Sequence, residues 1–341
     1  MKKRFLGYIH NFRGIAILFV VGGHILLSWP ENEHPLAKDV LYSIWQNGTV
    51  LFVFIAGYLF QYLIGKYRTF DYWKKKLRYV ILPYLLISGP AIIIRISSPP
   101  HQLVNSFQEY FEYNIVVKIL LLLVTGAHLL PLWFVPMIFI FYLVAPVLAY
   151  LDRNPFYYRF ILPFLILISL VFPRGDLHLI PANFIHFSSV YVFGMFFSHY
   201  NEAVVEWLGR HKILLSALTV ILFITAIFSA QNEFYNHIMY VQKMVFCCFS
   251  VYWLFYFQEQ IPKSANKLFG VLADYSFGVF FLHYYILLAL KRGFEHIKPE
   301  ILEGGYINWL LQFTLVVGLN LVLVYIIKKI TESNSRYLIG C

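Results

Sequence analysis

The stretch Arg13-Gly-Ile-Ala-Ile-Leu-Phe-Val-Val-Gly-Gly-His24 carries a cation at one end of a nearly unbroken apolar run and an imidazole at the other. Read as a helix, the steps from Arg13 to His24 rotate the second side chain only about 20° from the first, and the rise separates their Cα atoms by about 16 Å. Arg13 and His24 then share one face, with Arg13 at a membrane boundary and His24 well inside. An ionisable side chain within a span costs about 3 kcal/mol or more on insertion scales unless it faces a wet cavity or finds a partner. The same segment therefore reads as a membrane span and as a candidate site.

The rest of the composition agrees with a membrane setting. Of 341 residues, 60% are hydrophobic and 13% charged, whereas soluble domains run nearer one quarter charged. Aromatic residues make up 20% of the chain, many of them near the ends of apolar runs, as in interfacial belts. The net charge of +10 is the positive-inside bias that orients such proteins, and nucleic acid is not expected as a partner. Cys247, Cys248 and Cys341 have neither a disulfide framework nor metal-ligand spacing. The start, Met1-Lys2-Lys3-Arg4, imitates a signal peptide, but no small-residue cleavage site follows Leu27-Ser28-Trp29-Pro30, so this segment is expected to stay as the first span.

The fold expected is all-α and integral to the membrane, with about ten spans. Their limits are near 8–29, 43–65, 77–97, 132–151, 159–173, 184–200, 212–230, 239–258, 268–290 and 306–328. Residues 115–125 are short for a crossing and are followed by Gly126 and Pro131, which reads as re-entrant or interfacial. With the N-terminus cytoplasmic, the inner segments collect Lys2, Lys3, Arg4, Lys66, Arg68, Lys74, Lys75, Lys76, Arg78, Arg153, Arg159, Arg210, Lys212, Lys263, Lys267, Lys328, Lys329 and Arg336. The outer side holds mainly Lys38, Lys118, Arg174, Lys291, Arg292 and Lys298, which places both termini in the cytoplasm. No linker or soluble appendage interrupts the series, so residues 1–341 are expected to form one membrane domain.

Several residues are not explained by apolar packing. Arg13, His24, Arg95, His186 and His283 are ionisable and lie in or beside spans; each is either functional or held by a structural hydrogen bond, and Arg95 also has the length to snorkel. Gly48 and Gly57 in the second span permit close helix contact, for which Gly22-Gly23 of the first span is the expected partner. The basic run Lys66 to Arg78 is either a plain cytoplasmic loop or a dock for phosphates. His128-Leu-Leu-Pro-Leu-Trp133-Phe-Val-Pro136 puts a histidine, an indole and two prolines at an expected outer boundary. Later, Ser276 precedes the buried His283 on one helical face.

These segments together resemble acyltransferase family 3, the integral-membrane acyltransferases that modify bacterial envelope glycans. The resemblance rests on Phe-Arg13-Gly-Ile-Ala-Ile-Leu-Phe-Val-Val-Gly-Gly-His24, on Phe52-Val-Phe-Ile-Ala-Gly-Tyr58, on the basic segment before Pro83-Tyr84, on Leu132-Trp133-Phe134, and on Ser276-Phe-Gly-Val-Phe-Phe-Leu-His283. Three departures stand out. His10 replaces an acidic residue common in the family, Ala56 replaces a serine, and Lys76 and Arg78 stand in a shifted register where the family commonly has two arginines three apart. The shifted register and the absence of an attached domain are similar to the branch that acylates exopolysaccharide, including poly-N-acetylglucosamine modification.

The resemblance implies transfer of an acyl group, acetyl or succinyl, from cytoplasmic acyl-CoA to a sugar hydroxyl of an envelope glycan or exopolysaccharide, at the bacterial cytoplasmic membrane. His24 would act as the base, as a proton relay or as a covalent acyl carrier, and Arg13 would hold the donor's anionic part or developing negative charge. Lys76 and Arg78 would steer the coenzyme. His128, Trp133, Ser276 and His283 would line the acceptor side or support the site. No metal and no permanently bound cofactor are expected; acyl-CoA is a co-substrate, and membrane lipid and a glycan synthase or export protein are further partners. A glycan or lipid transporter, with the same cations lining its path, is the competing reading.

Overall fold

The computed structural model describes residues 6–27, 29, 35–297 and 299–341, except the side chain of Gln102. Lys2, Lys3, Arg4, Ser28, Pro30 and Lys298 lie outside the described residues. Among the described residues the regular structure is helical throughout: α1 (Gly7–Leu26), α2 (Pro35–Trp45), α3 (Gly48–Tyr62), α4 (Thr69–Lys76), α5 (Leu82–Arg95), α6 (His101–Ser106), α7 (Ile115–Thr125), α8 (Phe134–Leu143), α9 (Ala145–Arg153), α10 (Tyr158–Val171), α11 (Ile180–His199), α12 (Asn201–Arg210), α13 (Lys212–Phe228), α14 (Tyr235–Phe257), α15 (Lys263–Ile297), α16 (Tyr306–Thr331) and α17 (Ser335–Leu338).

Seven helical stretches among the described residues are long and apolar enough to cross a membrane, and there are ten if each of three sharply bent pairs is one span. This is the all-α, multi-pass architecture expected. The chain divides into two compact units, one of residues 1–62 and 190–324 and the other of residues 63–189 and 325–341.

The first unit is built around α1, whose Phe12, Ala16, Ile17, Ile25 and Leu26 are fully enclosed. Helix α15 lies along it in parallel, because Asn11 meets Asn266 at one end and His24 meets His283 at the other. Gly14 makes this approach possible, since a Cβ there would overlap the Phe269 carbonyl. Helix α3 runs antiparallel to α1, with Tyr8 on Tyr58 and Phe12 on Phe54. Gly48 faces α1, the expected span, but at Val20 and not at Gly22-Gly23, and the partner of Gly57 is the Tyr191 backbone of α11, where Gly194 in turn faces Phe54. Two mutually opposed glycines let those helices cross with their backbones in contact. Gly22 and Gly23 instead accommodate Trp45 at the end of α2.

In the second unit, the expected span 77–97 begins earlier. The basic run is not a plain loop from Lys66 to Arg78, because α4 already covers Thr69–Lys76 and passes through a π-turn at Leu77–Ile81 into α5. Together they make one helical stretch, Thr69–Arg95. The expected span 132–151 is also corrected, since it breaks at Val144 between α8 and α9. Pro146 is the reason: its ring has no N–H for the Tyr142 carbonyl and clashes with it in a continuous helix. The Trp73 Nε1–H donates to that carbonyl instead, at 2.6 Å.

The segment read as re-entrant forms α7 and meets Leu130–Leu143 at a bend of 77°. Asn114 opens α7 by accepting the Val117 N–H with its side chain. Gly126 closes it with φ of 67°, and a Cβ at Gly126 would overlap the backbone of Trp133. Only glycine fits this corner.

Candidate active site

Arg13 and His24 both turn toward α15, as the helical periodicity requires. The Arg13 Nη2 donates to the Ala273 carbonyl at 2.7 Å, and the Ser276 hydroxyl donates to the same oxygen at 2.8 Å. Ser276 is thus committed to the backbone of its own helix, where it helps shape the Arg13 seat. His10, where the family commonly has an acidic residue, lies 3.4 Å from the carboxylate of Asp274. An acidic group therefore does stand at this level, but it comes from α15.

Nine residues beyond Asp274 on α15, His283 is fully buried. Its Nδ1 lies 3.0 Å from the Val279 carbonyl and 2.8 Å from that of Phe280. Carbonyls only accept, so Nδ1 carries the proton and the Nε2 of the neutral ring is an acceptor. That acceptor lies 3.1 Å from the Nδ1 of His24, which is also 2.8 Å from the Val20 carbonyl. With both rings neutral, the His24 proton therefore sits on Nδ1, and its basic nitrogen is Nε2. The ring centroids are 5.0 Å apart, and Tyr284 approaches His24 edge-on at 5.9 Å. A base oriented by a second group is the arrangement that proton-transfer catalysis requires.

The remaining expected site residues belong to the second unit. Lys76 places its ammonium 4.5 Å from the Tyr142 ring and 5.3 Å from Tyr72, so two tyrosines cradle the cation. Arg78, on the π-turn, is exposed. Arg336, read from sequence only as an inner charge, stacks 4.9 Å over Tyr79 and adds a cation next to this turn. His128 is a structural staple: its Nδ1 lies 2.8 Å from the Leu122 carbonyl and its Nε2 2.7 Å from the Ser88 hydroxyl. Trp133 packs on Phe187 and under the Arg174 guanidinium, 4.5 Å away.

A cavity of about 640 Å3 opens in the first unit beside the start of α1, lined by Tyr8, Asn201, Glu202, Glu206 and Glu259 among others. Its three carboxylates make it a poor seat for coenzyme phosphates. Among the described residues, no group of three His, Cys, Asp or Glu side chains is placed to hold a metal ion.

A family model described as an acyltransferase domain matches residues 6–329. The chain belongs to acyltransferase family 3. The match covers nearly the whole length, so the membrane-embedded bundle itself is the acyltransferase domain of this family 3 member. No curated protein and no solved structure matches the chain. The His24–His283 pair can therefore be read as part of a membrane acyltransferase.

Proposed function

We propose that this acyltransferase moves an acyl group, acetyl or succinyl, from cytoplasmic acyl-CoA to a sugar hydroxyl of an envelope glycan or exopolysaccharide, at the bacterial cytoplasmic membrane. The observation that carries the reading is the seat of the His24 ring, whose Nδ1 is held by the Val20 carbonyl at 2.8 Å and the His283 ring at 3.1 Å, leaving Nε2 as the basic nitrogen. The His24 Nε2 takes the proton of the sugar hydroxyl as its oxygen attacks the thioester carbonyl carbon. The resulting tetrahedral intermediate expels the coenzyme thiolate as the carbon–sulfur bond breaks, and His24 returns the proton to sulfur. While His24 is cationic, its Nδ1–H to His283 is a charge-assisted hydrogen bond, which stabilises the charge formed with the intermediate.

Arg13 lies about 16 Å along the helix from His24, too far for both to touch one small group. In this reading Arg13 meets the extended donor further along its length, from a seat fixed by Ala273 and Ser276. Lys76, Arg78 and Arg336 supply the positive field that attracts the anionic coenzyme. Membrane lipid surrounds the protein, and a glycan synthase or exporter delivers the acceptor.

Membranes containing the protein, given labelled acetyl-CoA and envelope glycan, are expected to yield labelled glycan, and His24→Ala membranes with equal protein are expected to yield none. Full acylation of surface glycan in a His24→Ala strain would overturn the catalytic assignment.

A further inference from the structure

Gln242 lies on α14 with 1% of its surface exposed. Neither its Nε2 nor its Oε1 has a hydrogen-bond partner among the described residues. Leaving a buried polar group unsatisfied destabilises the fold, and a carboxamide does so with both its donor and its acceptor. A leucine of similar size would fill the position without that cost, so packing does not explain a glutamine here.

Its position along the bundle follows from α1. The Tyr8 ring lies 5.4 Å from Phe255, and the Phe19 ring lies 5.6 Å from Phe246, so α14 runs antiparallel to α1. Continuing that register from Phe19 up to His24 moves about four or five residues back from Phe246, which reaches Gln242. Gln242 and Phe246 share a face of α14, and Phe246 packs against both Phe19 of α1 and Phe223 of α13. Near the same level, the buried Asn47 uses its Nδ2 on the Ser43 and Ile44 carbonyls while its Oδ1 has no partner among the described residues. Gly48, the next residue, faces Val20 of α1. Two buried carboxamides thus present unsatisfied atoms near the level of the histidine pair.

We infer that Gln242 is a specificity-determining residue that hydrogen-bonds a hydroxyl of the sugar acceptor, assisted by the Asn47 oxygen. A carboxamide donates through Nε2 and accepts through Oε1, which matches a neutral hydroxyl that does both. The anionic parts of the donor call for cations instead, and an acyl chain calls for apolar walls. The chemistry therefore selects a polyhydroxylated acceptor over the donor. This assignment rests on the acyl-transfer reading above.

The test uses the full chain in nanodiscs with oligosaccharides released from the host's own envelope polysaccharide. Gln242→Leu is expected to raise both the oligosaccharide Kd and the acceptor KM about tenfold, with the acetyl-CoA KM unchanged. Gln242→Glu, which keeps an acceptor but loses the amide donor, is expected to fall between. If Gln242→Leu leaves the acceptor KM and Kd at wild-type values, or moves the donor KM instead, the assignment is wrong and acyl transfer stands. A wild-type protein that binds the oligosaccharides but transfers no acyl group would refute the acyl-transfer reading while the Kd shift still supports Gln242 as a sugar contact. A wild-type protein that binds none of them would overturn the assignment. A purely structural Gln242 predicts that Gln242→Leu raises the melting temperature and changes neither KM.

Discussion

His24 in the first unit and His128 in the second are both histidines set among apolar helices, yet their surroundings assign them different work. His128 is fixed by a backbone carbonyl and a serine hydroxyl, neither of which changes its protonation near neutral pH. The ring ties α7 and its corner to α5, so its role is completed within the fold. His24 is fixed by a carbonyl and by a second imidazole. The carbonyl keeps the proton on Nδ1, and the second ring gives that N–H an acceptor whose bond strengthens when His24 takes a proton. The two also differ in exposure, His128 being buried and His24 half-buried. In the proposed reading, the group across the hydrogen bond and the access left to the ring together separate a staple from a base.

The largest effect that would break this comparison is expected at His24. His24→Ala should lower kcat by about 10²–10⁴-fold, the range for loss of a general base, while protein level and melting temperature stay near wild type. His128→Ala activity losses of the same size, at equal folded protein, would remove the distinction.

His283→Ala should follow with a loss of about 10²-fold in kcat and little change in either KM, as for a group that positions a base. His283→Gln sharpens the test because its amide oxygen can accept the His24 Nδ1–H; it should recover much of the rate. The sign of the pH dependence is also defined. A base must be unprotonated to act, so wild-type kcat falls toward acid. Because His283 accepts a charge-assisted bond from protonated His24, His283→Ala should withdraw that support of the cation and move the falling limb to lower pH, which a pH–rate profile reads directly.

Lys76→Ala is expected to raise the acyl-CoA KM several-fold with kcat little changed, and Lys76→Arg to retain most of the affinity, since Arg also stacks on the Tyr72 and Tyr142 rings. An unchanged donor KM would leave Lys76 as a packing cation. The smallest catalytic effect belongs to the staple. Ser88→Ala should cost about 1–3 kcal/mol of stability by leaving a buried imidazole nitrogen without its donor, seen as a lower melting temperature in detergent with unchanged kcat per folded molecule.

Much of this was legible in the chain. The shared face of Arg13 and His24 follows from helical periodicity alone, and both side chains do turn toward one neighbouring helix. The glycines were recognisable as contact points, but not their partners: Gly57 could have served any helix, and only the packed structure gives it Tyr191 of α11. The break at Val144 was hidden because apolarity continues through it; the missing N–H of Pro146 was its one local sign. Gln242 gave no sequence signal, since a single glutamine in an apolar helix is informative only once its neighbours are known to offer it nothing.

By itself the sequence determined an all-helical, multi-pass membrane protein of acyltransferase family 3, with a cation and an imidazole on one face of its first span. It could do so because apolarity, charge asymmetry and the 3.6-residue repeat are properties of consecutive residues. Only the tertiary structure separated the two histidines, giving one a second imidazole and the other a serine hydroxyl. Those hydrogen-bond partners lie 259 residues away from His24 and 40 from His128, distances over which sequence order carries no geometry.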